Sequence, residues 1–160
     1  MPVLALIAWS VTAIAGLYLL AIWLIEYDPK FRHAAATRLP IPIVVGHGLF
    51  AVGGLASWVM YLITDKRLYS WMAVGAMVFI AALGMTMAVR WIGVYRDRPT
   101  RAIAQAVSVA AGSPGRPVRP GDMIVPPERH LPVSGVIAHA AFAIVTIVLV
   151  VLTVFNVSGS

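Results

Sequence analysis

Four stretches of the chain, residues 3–25, 41–63, 69–92 and 131–156, are apolar almost throughout and contain a single charged residue between them, Arg90. Each meets the roughly 20 residues that a helix needs to cross about 30 Å of hydrocarbon at 1.5 Å per residue. The apolar residues run continuously instead of alternating, which excludes the strands of a membrane barrel. At 61% hydrophobic and 11% charged residues, the composition is not that of a water-soluble domain. The expectation is an all-α integral membrane protein, one membrane domain over 1–160, with four transmembrane helices in an up-down bundle and the lipid bilayer as its surroundings.

A net charge of +6 does not point to nucleic acid, because the basic residues flank the spans. Lys30, Arg32 and Arg38 follow the first span; Arg90, Arg96, Arg98, Arg101, Arg116, Arg119 and Arg129 end the third or lie in the loop after it. The connection between spans two and three has only Lys66 and Arg67. The positive-inside rule then puts both termini outside. Span one lacks the positive leader region and small-residue cleavage site of a secretory signal, so it is expected to stay in the mature chain. Arg outnumbers Lys ten to two, in keeping with a high-GC bacterium and its plasma membrane.

Inside this frame the sequence repeats. LPIPIVVGHGLFAV (39–52) lies over LPVSGVIAHAAFAI (131–144), matching Leu39/Leu131, Pro40/Pro132, Val44/Val136, His47/His139, Phe50/Phe142 and Ala51/Ala143 at an offset of 92. Upstream, Gly16/Gly84, Trp23/Trp91 and Tyr27/Tyr95 match at an offset of 68. The expected unit is a helical hairpin, present twice in tandem and in parallel orientation, with one histidine in each second helix.

Spans two and four run in the same direction, so His47 and His139 sit at matching depth, about 10 Å in from the prolines that open their helices. In a four-helix bundle with neighbours 8–10 Å apart, those two helices are diagonal and about 13 Å apart, which leaves room for a flat group. Intramembrane ionisable residues are rare and usually functional. Two facing imidazoles suit the axial positions of a haem b, with His47 and His139 as metal ligands. Ala51, Ala143, Phe50 and Phe142 would line the macrocycle, and Arg90 would lie on the side where propionates emerge. In general outline the arrangement resembles bis-histidine b-type cytochrome subunits, which implies electron transfer by a membrane subunit, not a stand-alone enzyme. Partners of such a chain would be a larger respiratory or envelope complex, or further copies of itself.

Two other readings compete. In an accessory or assembly subunit, the histidines would hydrogen-bond within the bundle or to a partner. A small transporter-like oligomer would need intramembrane charges or helices broken near the midplane, and the spans have no acidic residue and no central proline. Met72, Met77, Met85 and Met87 do not share a helical face and read as apolar filler. Residues 96–130 form a Pro/Arg-rich cytoplasmic loop, in which 101–111 can make a short interfacial helix. His33 and His130 belong to the headgroup region.

Overall fold

A computed structural model of the chain describes residues 1–27, 37, 39–96 and 127–158. Among these, four long helices account for nearly all residues: α1 (Pro2–Glu26), α2 (Ile41–Thr64), α3 (Arg67–Arg96) and α4 (Val133–Ser158), with a 3-10 turn at Pro127–His130. All four are long and apolar enough to cross a membrane. Helix α3, at 30 residues, extends about 45 Å. It begins two residues before the expected span and ends four after it, since Arg67 and Arg96 are good helix formers at its two ends. Residues 97–126 of the expected 96–130 loop, with its expected helix 101–111, lie outside the described residues, as does His33.

Proline opens helices where a missing N–H costs nothing. Pro2 occupies the first turn of α1, and Pro42 that of α2 behind the extended Pro40. Helix α2 ends at Asp65, whose φ of 54° and ψ of 19° are left-handed and whose N–H donates to the Tyr61 carbonyl at 2.8 Å. Aspartate tolerates that conformation better than most residues, and α3 follows after Lys66. Seven serine and threonine hydroxyls within the helices are satisfied locally. The hydroxyls of Ser10, Thr12, Ser57, Thr64, Thr86, Thr146 and Thr153 each donate to the carbonyl four residues back, as a helix in an apolar medium requires.

The helices are arranged as two tightly packed pairs, α2 with α3 and α1 with α4, while α1 touches α2 and α3 touches α4 less extensively. The diagonal pairs make no close backbone approach among the described residues. At the end that carries the termini, Ala5 and Trp9 of α1, Trp58 and Tyr61 of α2, Ala73 and Met77 of α3, and Val150 and Val154 of α4 form the buried core. Trp58 Nε1–H donates to the Pro2 carbonyl at 3.2 Å. Gly54 allows the tightest approach: a Cβ there would stand 2.9 Å from Trp9 and 3.0 Å from Ala76. Large apolar side chains such as Ile25, Leu49, Val52 and Ile63 cover the outside, all at least two-thirds exposed.

At the opposite end, which carries the longer loops, the 3-10 turn packs on α1 and α3. Its Glu128 is completely buried, with Oε1 accepting from the Thr37 hydroxyl and from the Leu39 N–H at 3.2 Å. His130 Nδ1 lies 3.6 Å from the Glu26 carboxylate, and both are part-exposed.

Candidate functional site

The histidine site lies between the two helix pairs. His47 on α2 has its Nδ1 3.0 Å from the carbonyl of Ile80 on α3. His139 on α4 has its Nδ1 3.1 Å from the carbonyl of Thr12 on α1. A carbonyl can only accept, so in each neutral ring Nδ1 holds the proton and donates, and Nε2 is left with its lone pair. One turn beyond each acceptor is a glycine. A Cβ on Gly84 would stand 3.1 Å from Cε1 of His47, and a Cβ on Gly16 would stand 3.0 Å from Cε1 of His139. Glycine in a helix costs about 1 kcal/mol relative to alanine; here it makes the space in which the imidazole reaches the neighbouring backbone.

The two clasps correspond residue by residue. Thr12 and Ile80 are 68 apart, as are Gly16 and Gly84, and the histidines are 92 apart. Their imidazoles lie next to each other in an edge-on arrangement, with ring centres 6.4 Å apart and planes inclined at 65°. Each ring is half-buried.

The remaining sequence candidates are dispersed around this pair. Ala51 and Ala143 are half-buried, one turn past the histidines. Phe50 stacks on Phe79 of α3, with centroids 4.8 Å apart and planes 14° apart, and Phe50 and Phe142 are both about two-fifths exposed. Arg90 is exposed near the loop end of α3. Sequence reasoning missed three participants. The carbonyls of Thr12 and Ile80 have no side-chain signature, but their glycines were visible as a repeated pair. Glu128, inside the stretch expected as a cytoplasmic loop, is buried, and only its place between prolines and Leu131 hints at an ordered turn.

No group of three or more His, Asp or Glu side chains converges among the described residues. Zinc catalysis, which wants about three protein ligands, finds no set here. Two imidazoles with free Nε2 lone pairs suit a metal whose other positions are filled by a ligand of its own, as in haem. The rings would hold such a group through Nε2, the nitrogen that the Ile80 and Thr12 carbonyls leave unprotonated. The backbone acceptor on the second ring nitrogen is also the usual partner of a metal-bound histidine.

No family model, curated protein or solved structure matches the chain.

Proposed function

We propose that the chain is an electron-transfer subunit of a membrane, built from a duplicated helical hairpin and holding one haem b between His47 and His139. The observation that carries this reading is the 6.4 Å separation of two imidazoles whose Nδ1 atoms are both tied to backbone carbonyls. When bound, haem supplies a one-electron couple between ferric and ferrous iron. The chain's own residues supply the rest. Ile80 and Thr12 fix each ring's tautomer and orientation and raise its basicity through the Nδ1–H bond. Gly16 and Gly84 let the rings approach, and the apolar surroundings keep water from the metal. In this reading Ala51, Ala143, Phe50 and Phe142 border the macrocycle and Arg90 lies on the propionate side.

The duplicated hairpin is supported by the equivalent clasps and by equivalent burial of Ala5 with Ala73 and of Trp58 with Val150, at the same two offsets. The reading extends to a bacterial plasma membrane, both termini outside, and a larger respiratory or envelope complex or a homo-oligomer as partner. A reporter fused after Ser160 should be active only outside the cytoplasm; cytoplasmic activity would reverse the orientation.

A second reading has one observation in its favour. The same Nδ1 bonds tie α2 to α3 and α4 to α1, which is what the histidines of an accessory subunit without a cofactor would do. Colour separates the two. Protein from cells supplied with haem precursor should be red, and its dithionite-reduced spectrum should show sharp α and β bands that His47→Ala or His139→Ala abolishes. Colourless protein would leave the accessory subunit standing. Tight binding of Cu(I) by the colourless protein would assign the imidazole pair to a bare metal ion instead.

A further inference from the structure

Leu39 and Leu131 occupy equivalent places in the two copies of the repeat, each eight residues ahead of its histidine. Glu128 accepts from the N–H of both. Its backbone carbonyl takes the Leu131 N–H at 3.4 Å, and its side-chain Oε1 takes the Leu39 N–H at 3.2 Å together with the Thr37 hydroxyl. A carboxyl oxygen accepts in this way whether or not the group carries a proton. Each leucine is followed by a proline that starts its helix: the Pro40 carbonyl accepts from Ile43 and Val44 at 2.9 and 3.2 Å, and the Pro132 carbonyl from Val136 at 3.1 Å. The first turns of α2 and α4 are therefore built directly onto the two leucines, about 12 Å along the axis from the histidines.

This link joins the two helix pairs. The clasps to Ile80 and Thr12 fix each imidazole within its own pair, α2 with α3 and α4 with α1, and not one pair against the other. The histidine-bearing helices α2 and α4 make no close backbone approach among the described residues. At the terminal end they are supported by the packed core that contains Trp58 and Val150. At the loop end the Glu128 side chain ties the segment ahead of α4 to the segment ahead of α2, and the histidines lie between these two supports. The turn that carries Glu128 is itself seated on α1 and α3, with His130 beside Glu26 at 3.6 Å. Burial alone does not account for a carboxyl here. Oε2 is buried without a hydrogen-bond partner, which is unfavourable, and an apolar side chain would fill the space without that penalty. The bonds to Leu39 and Thr37, in contrast, need an acceptor. The repeat holds no second such carboxyl, because the residue 92 before Glu128 is Ala36.

We propose that Glu128 is a positioning residue, a brace between the starts of α2 and α4 that sets the spacing of His47 and His139. Its consequence for binding rests on the reading above, in which both imidazoles hold one ligand. A metal site tolerates about 0.2 Å in its ligand distances, whereas packed helices that lose a support shift by about 1–2 Å. With the brace in place the two rings keep one spacing before any ligand arrives, so binding does not have to order the helices. Without it the terminal core still holds the bundle together, and the loop ends of α2 and α4 are free to splay.

The test is a distance measurement on the full chain in nanodiscs, prepared without haem. The sequence has no cysteine, so introduced pairs can be spin-labelled without background and read by double electron–electron resonance. Val45→Cys with Ile137→Cys marks equivalent exposed positions two residues ahead of the histidines; Met60→Cys with Leu152→Cys marks equivalent exposed positions at the terminal end. Glu128→Ala should shift the first distance by about 1–2 Å, or broaden its distribution to that extent, and leave the second unchanged. Glu128→Gln keeps an oxygen acceptor for Leu39 and Thr37 and should restore the wild-type distribution. If Glu128→Ala does not fold, Thr37→Val decides in its place, since it removes one donor to Oε1 and leaves the buried carboxyl; it should broaden the first distribution to a smaller degree. An unchanged first distance in the folded variant would overturn the proposal. So would equal changes in both pairs, which mean general loosening, or a Glu128→Gln protein that behaves like Glu128→Ala. A colourless wild type would overturn the haem reading alone, because these distances are read without haem.

Discussion

The loop half and the terminal half of the bundle follow the same pseudo-symmetric plan and have kept different things. In the loop half, the histidines and the glycines beside them recur in the same contacts: histidine to carbonyl at 3.0 and 3.1 Å, glycine against Cε1 at 3.1 and 3.0 Å. In the terminal half, the equivalent positions are buried alike, but most have changed identity. Trp9 stands where the other hairpin has Met77, Trp58 where it has Val150, Tyr61 where it has Thr153, and Gly54 where it has Thr146. A packed core needs volume and shape, which many side chains supply. A site needs particular atoms. If the histidines served packing alone, nothing would have kept them from drifting as Trp58 and Val150 have; a hydrogen-bonded clasp and a ligand site both need these particular atoms.

The contrast can be broken first where the terminal half has most to lose. Trp58→Ala removes a fully buried indole and its bond to the Pro2 carbonyl. It should cost about 3 kcal/mol, mostly as lost packing, because lipid is no worse a solvent than the core for apolar surface. Val150→Ala, at the equivalent place, removes less volume and should cost about 1–2 kcal/mol. Both should appear in thermal or denaturant unfolding and leave the absorption bands of the intact protein where they are. A shifted spectrum in either variant would mean that the two halves are not separable.

Gly54→Ala comes next. Its Cβ would meet a Trp9 ring carbon at 2.9 Å and the Ala76 methyl at 3.0 Å; neither can swing aside, so α1, α2 and α3 must part, at about 1–3 kcal/mol. Adding Trp9→Phe should recover part of the loss. The loop-half counterparts, Gly16→Ala and Gly84→Ala, should behave differently. Each added methyl meets the edge of one tethered imidazole at 3.0 or 3.1 Å. The expected stability cost is smaller, about 1 kcal/mol, but the ring must leave its carbonyl. Haem content or band position should therefore change in both variants, and by similar amounts if the clasps are equivalent. Unchanged spectra with full haem content would remove the glycines from the site.

These outcomes bear on what the sequence made legible. Helix class and number were readable from hydropathy, because an apolar medium leaves a continuous apolar segment few choices besides the helix. The matching depth of His47 and His139 followed from the repeat. What the histidines hold on to was not readable, since a backbone carbonyl can belong to any residue. Thr12 and Ile80 share no chemistry beyond it. The aromatic candidates show the same limit from the other side: the spacing put Phe50 within reach of a macrocycle, but Phe79, on a helix whose rotation no spacing fixes, stacks on it. Glu128 falls in the stretch expected as a loop, and its tertiary contacts with Thr37 and Leu39, which leave it buried, have no signature in the sequence.

The smallest expected effect tests whether polar contacts inside the α1/α4 pair matter to either half. The hydroxyls of Thr12 and Thr146 lie 2.9 Å apart, and each also reaches a carbonyl of its own helix, Ala8 for Thr12 and Phe142 for Thr146, at 2.8 Å. Two hydroxyl hydrogens serve three contacts, so one of the three always lacks a proton. Valine in place of either threonine keeps the shape and removes a hydroxyl whose partner can fall back on its own carbonyl. Each single change should cost under about 1 kcal/mol, and a double-mutant cycle over Thr12→Val and Thr146→Val should give a coupling of about 0.6 kcal/mol, the average for such pairs in membrane helices. His139 is bonded to the carbonyl of Thr12 and not to its side chain, so the spectrum should not move in any of the three variants. A coupling well above 1 kcal/mol, or a spectral shift in Thr12→Val, would make the hydroxyl pair part of the site and not of the packing beside it.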